Sequence, residues 1–100
     1  MESEYRGLDT HIKELINRRR RQIIVNSIIY YTYDHSHVSD TKFDGWCNEL
    51  AHIQRENPKL SEEVTYELEA FRDFNGDPSE LPLNNPRAQS IARQLISRRR

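Results

Sequence analysis

Five side chains between positions 30 and 44 are of types compatible with ligand binding. Tyr30 and Tyr31 are adjacent, and Asp40, Phe43 and Asp44 follow after a short polar stretch. Aromatic faces stack on flat organic cations, and carboxylates offset such a charge. Carboxylates also accept hydrogen bonds from ligand hydroxyls. On a helix, positions 40 and 44 share a face, with 43 beside them. A packing role competes for the same residues. The tyrosines could pack helix on helix, Asp40 could be a cap, and Phe43 with Trp46 has core spacing. Asp44 could pair with an upstream arginine.

Within this window, residues 41–45 read Thr-Lys-Phe-Asp-Gly. Lys-x-Asp-Gly resembles the signature in which DNA ligases and RNA-capping enzymes carry the lysine that attacks a nucleotide α-phosphate. Such a lysine works among further carboxylates and basic groups that cradle the nucleotide and its metal. Lys42 instead falls in the first turn of an expected helix, with no Gly-rich phosphate loop nearby. No catalytic residue is therefore assigned, and the chain is not read as an enzyme. His35 and His37, with Asp34 and Asp40, alternate along a link. Such positions seldom converge on an ion without a distant third ligand, so no metal site is assigned. Cys47 is expected on a buried helix face, where a thiol is inert.

The elements that must position these residues are helical. Asp9 or Thr10 can cap a first helix, with residues 1–8 frayed. Ile12, Leu15, Ile16, Ile23, Ile24, Ile28 and Tyr31 then follow helical spacing to about Tyr33. Its stretch Ile-Ile-Val-Asn-Ser-Ile-Ile is β-branched, but no turn signal separates it from the arginines before it. Ser39 or Asp40 caps a second helix whose inward face carries Phe43, Trp46, Cys47, Leu50 and Ile53. A third helix is expected from a Ser61 cap through Phe71. A Gly/Pro/Asn-rich loop follows, with Asn75-Gly76 at its tip. Asn85 then caps a last helix with Pro86 at its first position and arginines 98, 99 and 100 at its C-terminal end. The fold class is all-α: a helical hairpin of one long and one medium helix plus two shorter helices, in a single domain over residues 1–100.

Composition narrows the partners. Net charge is -1, which points to no nucleic acid in bulk. Residues 1–33 are net +2, residues 34–80 net -8 and residues 81–100 net +5. The basic ends can attract the acidic middle within the fold. Arginines 18–21 would cover all sides of a helix rather than form one stripe, which suits pairing or solvation before phosphate binding. A single cysteine excludes an internal disulfide. No run of about 18 apolar residues supports a membrane span, and the acidic N-terminus does not read as a signal peptide. The expected location is the cytosol. The small core and aliphatic first helix leave homo-oligomer formation open.

A longer window carries a more specific resemblance. In residues 29–60, Tyr30-Tyr31, Asp34, the group Asp40, Phe43 and Asp44, then Glu49-Leu50 and Pro58-Lys59-Leu60 fall in register with a family pattern. The segment, roughly residues 10–60, resembles the N-terminal helical segment of bacterial NAD-dependent DNA ligases. Tyr31 stands where the family often has His, Phe43 where it has Tyr, and the usual proline of the link is absent. After Leu60 the ligase resemblance stops. The remaining residues look like the tail of short ligase-related proteins of phages and prophages of Gram-positive bacteria.

In those ligases the segment recognises the nicotinamide mononucleotide (NMN) half of NAD. The resemblance implies that Tyr30, Tyr31, Asp40, Phe43 and Asp44 bind NMN, NAD or a related ADP-ribose nucleotide between the end of the first helix and the start of the second. No resident cofactor is required. A non-catalytic phage-type accessory protein with an anti-defence or host-modulating role would fit. The rival reading is an interaction module that binds a host or phage protein through its charged surface, without a nucleotide. A weaker third is a nucleic-acid accessory using the arginine runs. In the ligases an adenylation domain forms the other wall of the site, so an isolated hairpin would offer half a pocket.

Overall fold

The computed structural model describes residues 2–98, with side chains from Gly7 onward. Five α-helices and one 3-10 turn make up these residues, with no strand among them. The order is α1 (Glu2–Tyr33), α2 (Asp40–Glu56), α3 (Pro58–Glu63), α4 (Leu68–Phe71), a 3-10 turn (Pro78–Glu80) and α5 (Pro86–Ser97). The architecture is the expected all-α hairpin of a long and a medium helix with shorter helices around it. At 1.5 Å per residue, the 32 residues of α1 account for the longest dimension of the molecule, 50 Å.

α1 starts earlier than the sequence suggests. Residues 2–8 are helical, and Asp9 and Thr10 are inside the helix rather than at its cap. Deeper in, every residue from 23 to 29 is buried. A helix buried all round must have neighbours on opposite sides, and α1 packs against both α2 and α5. That enclosure explains why a β-branched run is helical here: burial outweighs intrinsic propensity. The small Ala88 and Ala92 of α5 belong to the same buried core as Ile23, Ile24 and Ile28.

α2 begins at the Ser39 cap, whose Oγ accepts from Lys42 N–H at 3.1 Å. Cys47, Leu50, Ala51 and Gln54 are buried along it, and Phe43, Trp46 and Ile53 are half-buried beside them. α5 begins at the Asn85 cap, with Oδ1 accepting from Ala88 N–H at 3.0 Å and Pro86 in the first turn. Arg98 closes α5. The arginines 99 and 100 that follow lie outside the described residues.

The third helix differs from expectation. Helix α3 starts at Pro58, so Ser61 is a buried interior residue rather than a cap. It ends at Glu63, and the chain opens through residues 64–67, with Val64 extended and Glu67 left-handed (φ 46°). The cause is Arg20. This fully buried arginine donates to the carbonyls of Ser61 (2.9 Å), Val64 (2.7 Å) and Tyr66 (3.0 Å). It also donates to Ser61 Oγ (3.0 Å) and Gln54 Oε1 (2.8 Å). A continuous helix would point those carbonyls along its own axis; the guanidinium turns them inward instead. Gln54 extends the network by donating to the Phe71 carbonyl at 2.8 Å.

The other arginines of the run divide as helical geometry requires. Arg18 is exposed, Arg19 pairs with Glu49, and Arg21 lies 4.6 Å from the centre of the Tyr66 ring. Lys13 pairs with Glu63 at 3.2 Å, so the basic first helix and the acidic middle do meet within the fold.

Candidate ligand cleft at the open end of the hairpin

The end of α1 is shaped by a backbone reversal. Asp34 takes the left-handed conformation (φ 52°), and His35 N–H donates back to the Ile29 carbonyl at 3.3 Å. Aspartate tolerates this region better than most side chains. The link from Asp34 to Ser39 then crosses to α2, whose first turn presents Asp40, Phe43 and Asp44. A cleft of about 300 Å³ lies at this junction. Tyr30, Tyr31 and Asn26 line it from α1, residues 35–38 from the link, and Asp40, Phe43 and Asp44 from α2. Pro78 of the 3-10 turn contributes from the C-terminal part of the chain.

All five residues singled out in the sequence thus line one cleft. The tyrosines do not form the hairpin core: Tyr30 is 54% and Tyr31 49% exposed. Their rings meet edge to face, with centroids 5.0 Å apart at 78°. Phe43 is half-buried and packs its inner side on the core. Ser39, not Asp40, caps α2. Glu49, not Asp44, takes the arginine of α1. Among the described residues, neither the Asp40 nor the Asp44 carboxylate is engaged in a hydrogen bond or ion pair. No lysine or arginine lines the cleft. Its character is therefore aromatic and anionic, which suits a flat cation carrying hydroxyl donors.

Asn26, which was not singled out in the sequence, and His35, which was weighed there only as a metal ligand, also belong to the cleft. Asn26 is only 8% exposed; its Nδ2 donates to the Gln22 carbonyl at 2.7 Å, and its Oδ1 has no partner. His35 Nε2 is likewise buried without a partner. The signal for Asn26 was present, because an amide inside an aliphatic run needs a reason. Pro78 carried no such signal, because only the folded loop brings it to α1.

The other chemical candidates fall away from the cleft. Lys42 does not line it; the ammonium sits 5.8 Å from the centre of the Trp46 ring. Cys47 is buried, and burial, helped by Asp44 and Asp77, pushes its thiol up to about 11. It is a protonated, inert thiol at neutral pH. Among the described residues, no three His, Cys, Asp or Glu side chains are grouped as metal ligands would be. No described helix is long and apolar enough to cross a membrane. The chain matches no protein-family model, no curated protein and no solved structure.

Proposed function

We propose that this chain is a non-catalytic binding protein for NMN, NAD or a related ADP-ribose nucleotide, held by its nicotinamide riboside part. The observation that carries the reading is the convergence of two tyrosines, Phe43 and two carboxylates on one cleft that no lysine or arginine lines. The tyrosine rings offer faces for the pyridinium, and Asp40 and Asp44 offer charge and acceptors for ribose hydroxyls. The cleft volume lies at the low end for small-molecule sites, about 300–1,000 Å³, which suits a ring and a ribose rather than a whole dinucleotide. The resemblance of residues 10–60 to the ligase segment points the same way. Here Pro78, from outside the hairpin, adds to the wall of the cleft. Sequestering a nicotinamide or ADP-ribose signal would suit an accessory or anti-defence protein of phage type in a host cytosol.

The test is calorimetric titration with NMN, NAD and cyclic ADP-ribose. Binding of at least one is expected, weakened about tenfold by Asp40→Asn or Asp44→Asn, equivalent to about 1.4 kcal/mol. Absence of heat at about 1 mM ligand overturns the proposal. A protein partner is the second reading, favoured by the exposed rings of Tyr30, Tyr31 and Tyr33, since tyrosine is enriched in interfaces. That reading predicts capture of a specific host protein that is lost on Tyr30→Ser with Tyr31→Ser.

A further inference from the structure

We infer that Asn26 and His35 determine specificity in this cleft by reading the carboxamide of a nicotinamide ligand. The inference rests on the cleft being a nicotinamide nucleotide site, and adds to it the part of the ligand that is discriminated. Both residues line the cleft, and each keeps a buried polar atom without a partner, Asn26 Oδ1 and His35 Nε2. Buried polar atoms in native folds are paired, and an exception calls for a cause. A bound ligand supplies one.

The chemistry of the two atoms is unequal. Asn26 is held in one orientation, because its Nδ2 donates to the Gln22 carbonyl at 2.7 Å. Flipping the amide would set oxygen against oxygen at that distance. The unpartnered atom is therefore an oxygen, and it can only accept. An imidazole nitrogen can donate in one tautomer. One fixed acceptor and one available donor in the same cleft complement a primary carboxamide, whose N–H would give to Asn26 Oδ1 and whose carbonyl would accept from His35 Nε2. A methyl ketone in the same place satisfies His35 and leaves Asn26 unpaired. A carboxylate does the same and adds a negative charge to a cleft already holding Asp40 and Asp44.

The consequence is selection of nicotinamide nucleotides over their acetylpyridine and nicotinic acid counterparts. Leaving one buried acceptor unpaired costs about 1–3 kcal/mol. The acetylpyridine analogue of NAD carries the same net charge as NAD, so comparing the two isolates the N–H donor. In calorimetric titrations of the wild-type chain, NAD is expected to bind about tenfold tighter than the acetylpyridine analogue. The nicotinic acid analogue is expected to bind weaker still. Asn26→Leu, close in volume, should bring the NAD-to-acetylpyridine ratio near one while the far-ultraviolet circular dichroism stays unchanged. In wild type the Asn26 side-chain amide resonances should shift on addition of NAD and much less with the acetylpyridine analogue; this readout needs no variant to fold.

Equal affinities for NAD and the acetylpyridine analogue, with no change at the Asn26 amide, overturn this inference and leave the nicotinamide site standing. Binding of none of the three dinucleotides overturns both.

Discussion

Replacing Arg20 by methionine probes the joint on which the whole C-terminal half turns. Arg20 is fully buried and donates five hydrogen bonds, all to uncharged acceptors on α2, α3 and the chain that follows. Burial pushes the guanidinium down to about 10, with Glu62 opposing, so it stays charged at neutral pH. Methionine fills similar length but donates nothing. The Val64 carbonyl and Gln54 Oε1 would then lose their buried donor and the Tyr66 carbonyl a part-buried one, while the Ser61 carbonyl would keep only the Val64 N–H. Each buried group left unpaired costs about 1–3 kcal/mol before relaxation. Removing one side of a buried charged network typically costs about 3–5 kcal/mol in total. For a domain of this size that is a melting-temperature drop of about 15–30 °C, out of a stability of roughly 5–15 kcal/mol. Thermal and urea unfolding followed at 222 nm measures it. Arg18→Met, at an exposed position on the same helix, is the control and should stay within about 0.5 kcal/mol. If Arg20→Met also lies within about 1 kcal/mol of wild type, the proposed role of Arg20 in shaping residues 61–71 is wrong.

Other consequences are local. Asn85→Ala removes the α5 cap and the 2.9 Å bond from Nδ2 to Glu67, and should cost about 1–2 kcal/mol in urea unfolding. Gly76→Ala should destabilise by about 1–2 kcal/mol, because φ is 102° and the added Cβ would sit 3.2 Å from Asn48 Oδ1. The reverse holds at Asp34, where φ is 52°: Asp34→Gly should be neutral or stabilising by up to about 1 kcal/mol in the same assay. Cys47 should resist thiol reagents in the native state and react only on unfolding. Its thiol is held at about 11 in the fold against 9.0 for an ordinary one, so the folded chain binds the extra proton between those values. Its contribution to stability is thus intact below pH 9 and falls as pH rises to about 11; Cys47→Ala should remove that slope.

Local signals in the sequence reached a good part of this fold. Helical spacing found α1, α2 and α5, and the Ser39 and Asn85 caps were legible because a short polar side chain before an apolar-periodic run has few other uses. The left-handed Gly76 matched the expected turn. The misses share a cause, which is information held between distant positions. Residues 61–71 have a helical pattern, but three of their carbonyls answer to Arg20, more than 40 positions away. Arg20 itself was hidden in a run of identical residues, where nothing local says which one faces inward. At the cleft, helical spacing placed Asp40 and Asp44 on one helix face with Phe43 beside them, and only the resemblance to the ligase segment joined Tyr30 and Tyr31 to them. Asn26 and Pro78 join them only through the packing of α1 and the return of the 75–82 loop.

The central claim is that the cleft holds a nicotinamide nucleotide, and residue-resolved NMR titration with NMN tests it most directly. Saturable shifts should concentrate at Tyr30, Tyr31, Asp40, Phe43 and Asp44, with α5 unmoved. Asp44→Asn should weaken the titration about tenfold with its helical content intact. A spectrum unchanged at about 1 mM NMN, or shifts confined to residues away from the open end of the hairpin, would contradict it.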